Sequence, residues 1–226
     1  MKTAVITFPA SNCNRDAIVT LQKFSSKVNN IWHTESKLDN DYDLIILPGG
    51  FSYGDYLRSG AMAAISPVIQ EVKRLASRGV KILGICNGFQ ILTEAGLLPG
   101  VLLRNEKMKF SCKDVYLRVE NIENSFTKTY KKNEVIKIPI AHADGNYFAD
   151  NDVIQKLEDS GNIVFRYVDK NGNVTDDSNP NGSLHNIAGI KNDAGNVLGM
   201  MPHPERACDA ETGGIDGVAM FKALLK

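Results

Sequence analysis

The chain has 226 residues, the size of one large domain and enough to bury a substantial core. Lysine plus arginine equals aspartate plus glutamate at 26 each, so the formal net charge is zero, which speaks against general binding to nucleic acid or an anionic membrane. No apolar run approaches a membrane span, the first residues lack a signal-peptide pattern, and Cys13, Cys86, Cys112 and Cys208 form no C-x-x-C pair. A reduced cytoplasmic protein without a disulfide framework or a metal site is expected.

In chain order, strand and helix signals alternate. Residues 3–8 read as a buried strand and 9–14 as a polar loop, after which Ala17, Ile18, Leu21 and Phe24 recur at helical spacing. A weaker strand is expected over 28–33 and a strong one over 43–47, stopped by Pro48, Gly49 and Gly50. Ser66 and Pro67 suit the N-cap and first turn of a helix that buries Val68, Ile69, Val72, Leu75 and Ala76 and stops at Gly79. Residues 80–85 form the next strand, which ends at Cys86, and an amphipathic segment over 89–98 begins at once. Repeated βα units of this length imply an α/β fold, a mostly parallel central sheet flanked by helices. Active sites in such sheets lie beyond the carboxyl ends of the strands, where Gly49-Gly50 and Cys86 fall. After Pro99-Gly100 shorter strands are expected over 115–119, 135–140, 163–168, 187–191 and 197–201, with turn-rich stretches at 169–173 and 193–196. The second half therefore reads as a mixed or antiparallel extension of the same sheet, closed by a helix over 215–225. A single domain spanning 1–226 accommodates all of it.

A strand, a sharp turn with cysteine at the apex and a helix make the pattern of a nucleophile elbow. Small residues are needed at Gly84 and Gly88, where a side chain would crowd the neighbouring strand and helix. The first amides and the dipole of the helix would favour thiolate over thiol at Cys86. The competing reading is a buried structural cysteine in an ordinary turn. A reactive thiol needs a base, and His203 lies in M-M-P-H-P-E-R just after the last strand. Pro204 biases His203 toward extended geometry, in which residues two apart face the same way, so Glu205 can orient the imidazole. An exposed loop histidine with an incidental acid, or H-x-E metal ligation, are the alternatives. His142, in I-P-I-A-H-A-D-G-N, ends a strand and can line a pocket; His33 beside Trp32 reads as structural or surface, and His185 sits in a loop with capping chemistry. Residues 49–58 are glycine-rich but lack the lysine and spacing of a P-loop, which argues against an ATP site in this chain.

G-I-C-N-G-F-Q together with M-P-H-P-E resembles the class I, triad-type glutamine amidotransferases. S-N-C-N-R-D, P-G-G-F-S-Y-G-D-Y-L-R, N-P-N-G-S and N-I-A-G-I with G-N-V-L-G-M-M-P-H-P-E-R narrow the resemblance to a glutaminase branch that serves purine synthesis. These segments run from Ser11 to Arg206, nearly the whole chain. The resemblance implies a catalytic triad of Cys86, His203 and Glu205, and an oxyanion hole from backbone amides of Asn87 and the Gly49-Gly50 loop. It also implies glutamine contacts at Gln90 and in the turn that holds His142 and Gly145. Glutamine would be hydrolysed to glutamate and ammonia through a thioester. The implied partners are a large synthetase subunit, converting formylglycinamide ribonucleotide into the formylglycinamidine with ATP and Mg, and a small bridging subunit. No cofactor is implied for this chain itself.

Residues 51–58 and 179–183 are candidate docking or signalling loops, with ordinary solvated loops as the alternative. Two departures stand out: Ala143-Asp144 follow His142 where relatives commonly carry glycine and glutamate, and His185 stands where they commonly carry an acid. A positive φ at Ala143 would strain the turn by about 1 kcal/mol or more. Cys13 and Cys112 read as structural. Two other functions compete. A cysteine hydrolase or peptidase-like relative would not account for M-P-H-P-E-R or the 49–58 loop, and a non-catalytic module would not need all three triad residue types.

Overall fold

The computed structural model describes residues 1–24, 27–211 and 213–224. The first half runs β1 (Lys2–Thr7), α1 (Asn14–Lys23), β2 (Lys27–Trp32), β3 (Leu44–Leu47), α2 (Ala61–Ala64), α3 (Pro67–Ser77), β4 (Lys81–Ile85) and α4 (Asn87–Glu94). The second half adds β5 (Val101–Leu103), β6 (Ser111–Val119), β7 (Val135–His142), β8 (Asn146–Phe148), α5 (Asn151–Asp159), β9 (Ile163–Val168), β10 (Ile187–Lys191), β11 (Val197–Met200) and α6 (Val218–Leu224).

Nine strands form one sheet in the order β2-β1-β3-β4-β11-β10-β9-β6-β7, and β5 pairs with β8 separately. The strands from β2 to β11 are mutually parallel, whereas β10, β9, β6 and β7 follow in antiparallel pairing. Burial explains the division. Every residue of β3 and β11 is buried, as a strand covered on both faces requires, while β6 and β7 alternate between buried and accessible positions. The helix α3 buries the stripe expected of it, Val68, Ile69, Val72, Leu75 and Ala76.

The sheet order matters for chemistry because β3, β4 and β11 are adjacent and parallel. Their carboxyl ends, which lead into Gly49-Gly50, Cys86 and His203, therefore open on the same side. The far edge returns to this point. Twist accumulated across the sheet brings the last strand, β7, over the end of β4 and β11, where Pro139 accepts a hydrogen bond from the His203 amide at 2.9 Å. Proline is tolerated in β7 because that strand has a neighbour on one side only.

Several elements differ from the sequence reading. The helix α4 starts at Asn87 rather than 89, because Cys86 itself takes the N-cap position, and it stops at Glu94 before Gly96, whose φ is 72°. The closing helix starts at Val218, and position 225 lies outside the described residues. The two turn-rich stretches do agree with that reading: 193–196 joins β10 to antiparallel β11 as a hairpin, and 169–173 is a tight return that leads into a short 3-10 turn. The helix α5, with Asp150 before it and Ile154 and Leu157 buried, was not anticipated, nor were α2 and the three-residue strands β5 and β8. Among the described residues no helix is long and apolar enough to cross a membrane.

Glycine is required where α4 meets the sheet. A Cβ at Gly88 would lie 1.9 Å from the Leu47 carbonyl oxygen, and one at Gly84 would lie 2.5 Å from Leu92 Cδ1. Gly88→Ala is expected to destabilise the fold by about 2–3 kcal/mol through overpacking. A urea midpoint equal to that of the unmodified chain would show that the helix does not sit this close.

Candidate active site

Cys86 occupies the single-residue turn between β4 and α4 with φ 50° and ψ −107°, a conformation that L-residues seldom adopt. Its own backbone holds it there. The amide donates to the Met200 carbonyl at 2.7 Å, and the carbonyl accepts from Phe89 at 2.9 Å and Gln90 at 3.2 Å. The sulfur lies 3.7 Å from the Ala141 carbonyl oxygen of β7. Asn87 and Gly88 open the helix, so their amides have no intrahelical acceptor and stand beside the thiol.

His203 and Glu205 pair as expected, but through a different backbone. Pro204–Arg206 is a 3-10 turn, not an extended segment, and within it Glu205 Oε1 reaches His203 Nδ1 at 2.7 Å. The proline still assists, because its fixed φ suits the first position of the turn. Both side chains are about 1% exposed. The Thr20 hydroxyl of α1 donates to the Glu205 carbonyl at 2.9 Å and fixes the turn from below. His203 Nε2, the nitrogen away from Glu205, has no hydrogen-bond partner among the described residues. Burial opposes a charge on this ring, but the Glu205 carboxylate and a Cys86 thiolate outweigh it and raise His203 to about 10. Gly49 sits against both His203 and Cys86. A Cβ placed there would lie 2.7 Å from His203 Cε1 and 3.4 Å from Cys86 Cβ. Gly50 beside it has φ 125°, which glycine alone adopts readily.

The other site residues named from sequence belong to a polar framework behind the thiol. Asn87 accepts from the Ser52 amide at 3.2 Å and donates to Gln90 Oε1 at 2.9 Å, and Gln90 Nε2 donates to the Asp144 carbonyl at 2.6 Å. His142 is 2% exposed, with Nδ1 3.1 Å from Asn105 Oδ1. That oxygen also accepts from the Gly145 amide at 3.0 Å, so Nδ1 carries the proton and Nε2 presents a lone pair. Gly145 makes room for the ring, since a Cβ there would lie 2.3 Å from His142 Cε1. Its carbonyl accepts from Asn181 and Ser183 at 2.8 and 3.1 Å. Within the 179–183 loop, Asn181 and Ser183 therefore fold inward as a brace.

Ala143 does not have a positive φ, so the turn carries alanine without the strain considered above. His185 is remote and pairs with Glu158 at 3.0 Å, and His33 accepts or donates with the Tyr53 hydroxyl at 2.8 Å. In the 51–58 loop, Tyr53 bonds inward to His33 and Arg58 pairs with Glu94 at the surface, while Tyr56 and Leu57 are 75% and 84% exposed. Cys112 is exposed on β6. Sequence reasoning missed Asn105 and Thr20, which carry no local signature beyond a loop asparagine and a helical threonine.

The fold and this arrangement match known proteins. Residues 1–215 match the CobB/CobQ-like glutamine amidotransferase domain family, to which the chain belongs. The chain is 54% identical over 225 residues to phosphoribosylformylglycinamidine synthase subunit PurQ of Novosphingobium aromaticivorans, covering 99% of this chain and 96% of that protein. The structure of PurLQS from Thermotoga maritima contains a chain that is 47% identical, with a TM-score of 0.88 over 99% of this chain and 97% of that one. Within its family the chain falls among the PurQ-type glutaminase subunits. The glutaminase domain of Trypanosoma brucei CTPS, solved with bound acivicin, shares the fold at 12% identity, with a TM-score of 0.62 over 100% of this chain and 93% of that one.

Burial, reinforced by the facing His203 charge, pushes His142 down to about 4. A histidine depressed on folding stabilises the protein in its neutral form. That contribution is complete above the unfolded value near 6.5 and is lost as pH falls from there toward 4. Between pH 7 and 4 the unmodified chain should lose roughly 3 kcal/mol more stability than His142→Gln. Equal pH slopes in denaturant titrations of the two proteins would rule this out.

Proposed function

We propose that this chain is the glutamine-hydrolysing subunit of a phosphoribosylformylglycinamidine synthase, with Cys86 as nucleophile. The observation that carries the site assignment is the convergence of a strained Cys86, the Gly49 loop and a His203 ring held by Glu205 at 2.7 Å. The Cys86 thiolate attacks the side-chain amide carbon of glutamine, forming the C–S bond while the carbonyl electron pair moves onto oxygen. Amides of Asn87 and the Gly49-Gly50 loop hold that oxyanion, where one donor is typically worth about 10² to 10³ in rate. Collapse breaks the C–N bond. The departing nitrogen takes the proton of His203 Nε2 and leaves as ammonia, and a thioester remains. Neutral His203 then removes a proton from water as the water oxygen attacks the thioester. The second collapse releases glutamate and returns the sulfur as thiolate. Glu205 stays on Nδ1 throughout, so Nε2 is the nitrogen that exchanges protons.

Gln90, His142 and Gly145 form the wall toward the amino-acid end of glutamine. With Gln90 and Gly145 committed to internal hydrogen bonds, their part is to shape that wall. Ammonia passes to a large synthetase subunit, which binds ATP and Mg, and a small third subunit bridges the two. The name of the Novosphingobium relative and the Thermotoga assembly support this reading. The exposed Tyr56 and Leu57, a few residues from Gly49-Gly50, suit contact with the synthetase. A peptidase-like activity is not favoured, because the chain matches a glutamine amidotransferase domain family and a relative 54% identical over nearly the full chain is a phosphoribosylformylglycinamidine synthase subunit.

In the assembled complex, Cys86→Ala should lower glutamate release by about 10⁴-fold or more, while synthesis supplied with free ammonia persists. A diazo-ketone analogue of glutamine should label Cys86 alone. An active Cys86→Ala enzyme, or labelling at Cys13, would overturn the assignment.

A further inference from the structure

The segment S-N-C-N-R-D has no part in the chemistry above, yet it touches both halves of the site. Just ahead of the segment, Pro9 accepts from the Tyr53 amide of the oxyanion-side loop at 2.7 Å. A Cβ at Gly50 would lie 2.7 Å from the Asn12 nitrogen, and one at Gly49 would lie 3.4 Å from Cys13 Sγ. Toward the triad, Arg206, the residue after Glu205, donates from Nη2 to Cys13 Sγ at 3.0 Å and from Nε to Asp16 at 3.0 Å. Cys13 Sγ in turn donates to Asn12 Oδ1 at 3.1 Å. The cysteine is 4% exposed, and burial pushes its thiol up to about 12 against the pull of Arg206. It therefore keeps the proton that its bond to Asn12 needs, and it is no rival nucleophile to Cys86.

We propose that Cys13 is a positioning residue, seated between Arg206 and the Gly49 backbone, that couples the His203–Glu205 turn to the peptide holding the oxyanion. The inference rests on the reading of Cys86, His203 and Glu205 given above. Sulfur suits the place because one atom both donates and accepts while filling the gap against Gly49. Alanine removes both bonds, and serine keeps them at shorter reach.

The test measures kcat and KM for glutamine in the assembled synthase for the unmodified chain, Cys13→Ala, Cys13→Ser, Arg206→Gln and the Cys13→Ala/Arg206→Gln double variant. Cys86 alkylation by chloroacetamide across pH and thermal unfolding run in parallel. A loosened oxyanion donor acts on the transition state and not on ground-state binding. Cys13→Ala should therefore lose about tenfold to a hundredfold in kcat, with KM within about threefold. Its alkylation profile should stay unchanged, since alkylation needs thiolate but no oxyanion hole. Cys13→Ser should recover most of the loss, and the double variant should be no worse than the poorer single one. A kcat for Cys13→Ala within about twofold of the unmodified chain, a loss confined to KM, or strict additivity in the double variant overturns the proposal. If Cys13→Ala does not fold, a kcat for Arg206→Gln within about twofold of the unmodified chain overturns it instead. Activity in Cys86→Ala would be a different failure, that of the underlying site assignment.

Discussion

How closely α4 lies on the sheet is set by the contact between the Gly88 backbone and the Leu47 carbonyl, and the position of the sulfur follows from it. A helix held that near leaves one residue to turn the chain from β4, so Cys86 takes a backbone conformation costing on the order of 1–3 kcal/mol. The hydrogen bond to the Met200 carbonyl and those from the Phe89 and Gln90 amides offset that cost and fix the turn. The neighbours of β4 then supply the rest. Because β3 lies on one side and β11 on the other, both parallel to it, the oxyanion loop and the imidazole arrive at the same end of the sheet without any long excursion.

Behind the sulfur the protein uses neutral polar groups. Ser52, Asn87, Gln90 and Asp144 form one chain of hydrogen bonds, and Asn105 ties His142 to Gly145. Satisfied buried amides hold their neighbours in place without adding a charge. The charge facing Cys86 is that of His203, whose value is raised by the Glu205 carboxylate on its far side together with Cys86 on its near side.

Much of this was legible in the sequence, for local reasons. The elbow announces itself through two glycines four apart around a cysteine after an apolar run, and the parallel strands through unbroken apolar stretches. His203 and Glu205 were legible as a pair although the backbone between them was misjudged, since a 3-10 turn and an extended segment can both bring such neighbours together. The misreadings come from contacts distant in sequence. Asn105 looks like any loop asparagine until it is seen holding His142 and Gly145. N-P-N-G-S reads as surface turn chemistry, yet Asn181 and Ser183 point inward because the Gly145 carbonyl needs donors. The short strands β5 and β8 offered too few residues for a period to show.

The return of β7 across the top of the sheet has a consequence for when this protein becomes chemically competent. Pro139 anchors His203, and Ala141 faces the sulfur, so nucleophile and base meet only through residues from opposite halves of the chain. A chain with only the elements from β1 to α4 formed, whether emerging during synthesis or partly unfolded, has a cysteine but no imidazole beside it. Such long-range closure comes late in folding. Reactivity is thus acquired only once β11 and β7 are both in place, and an incomplete molecule is protected from misusing its own thiol.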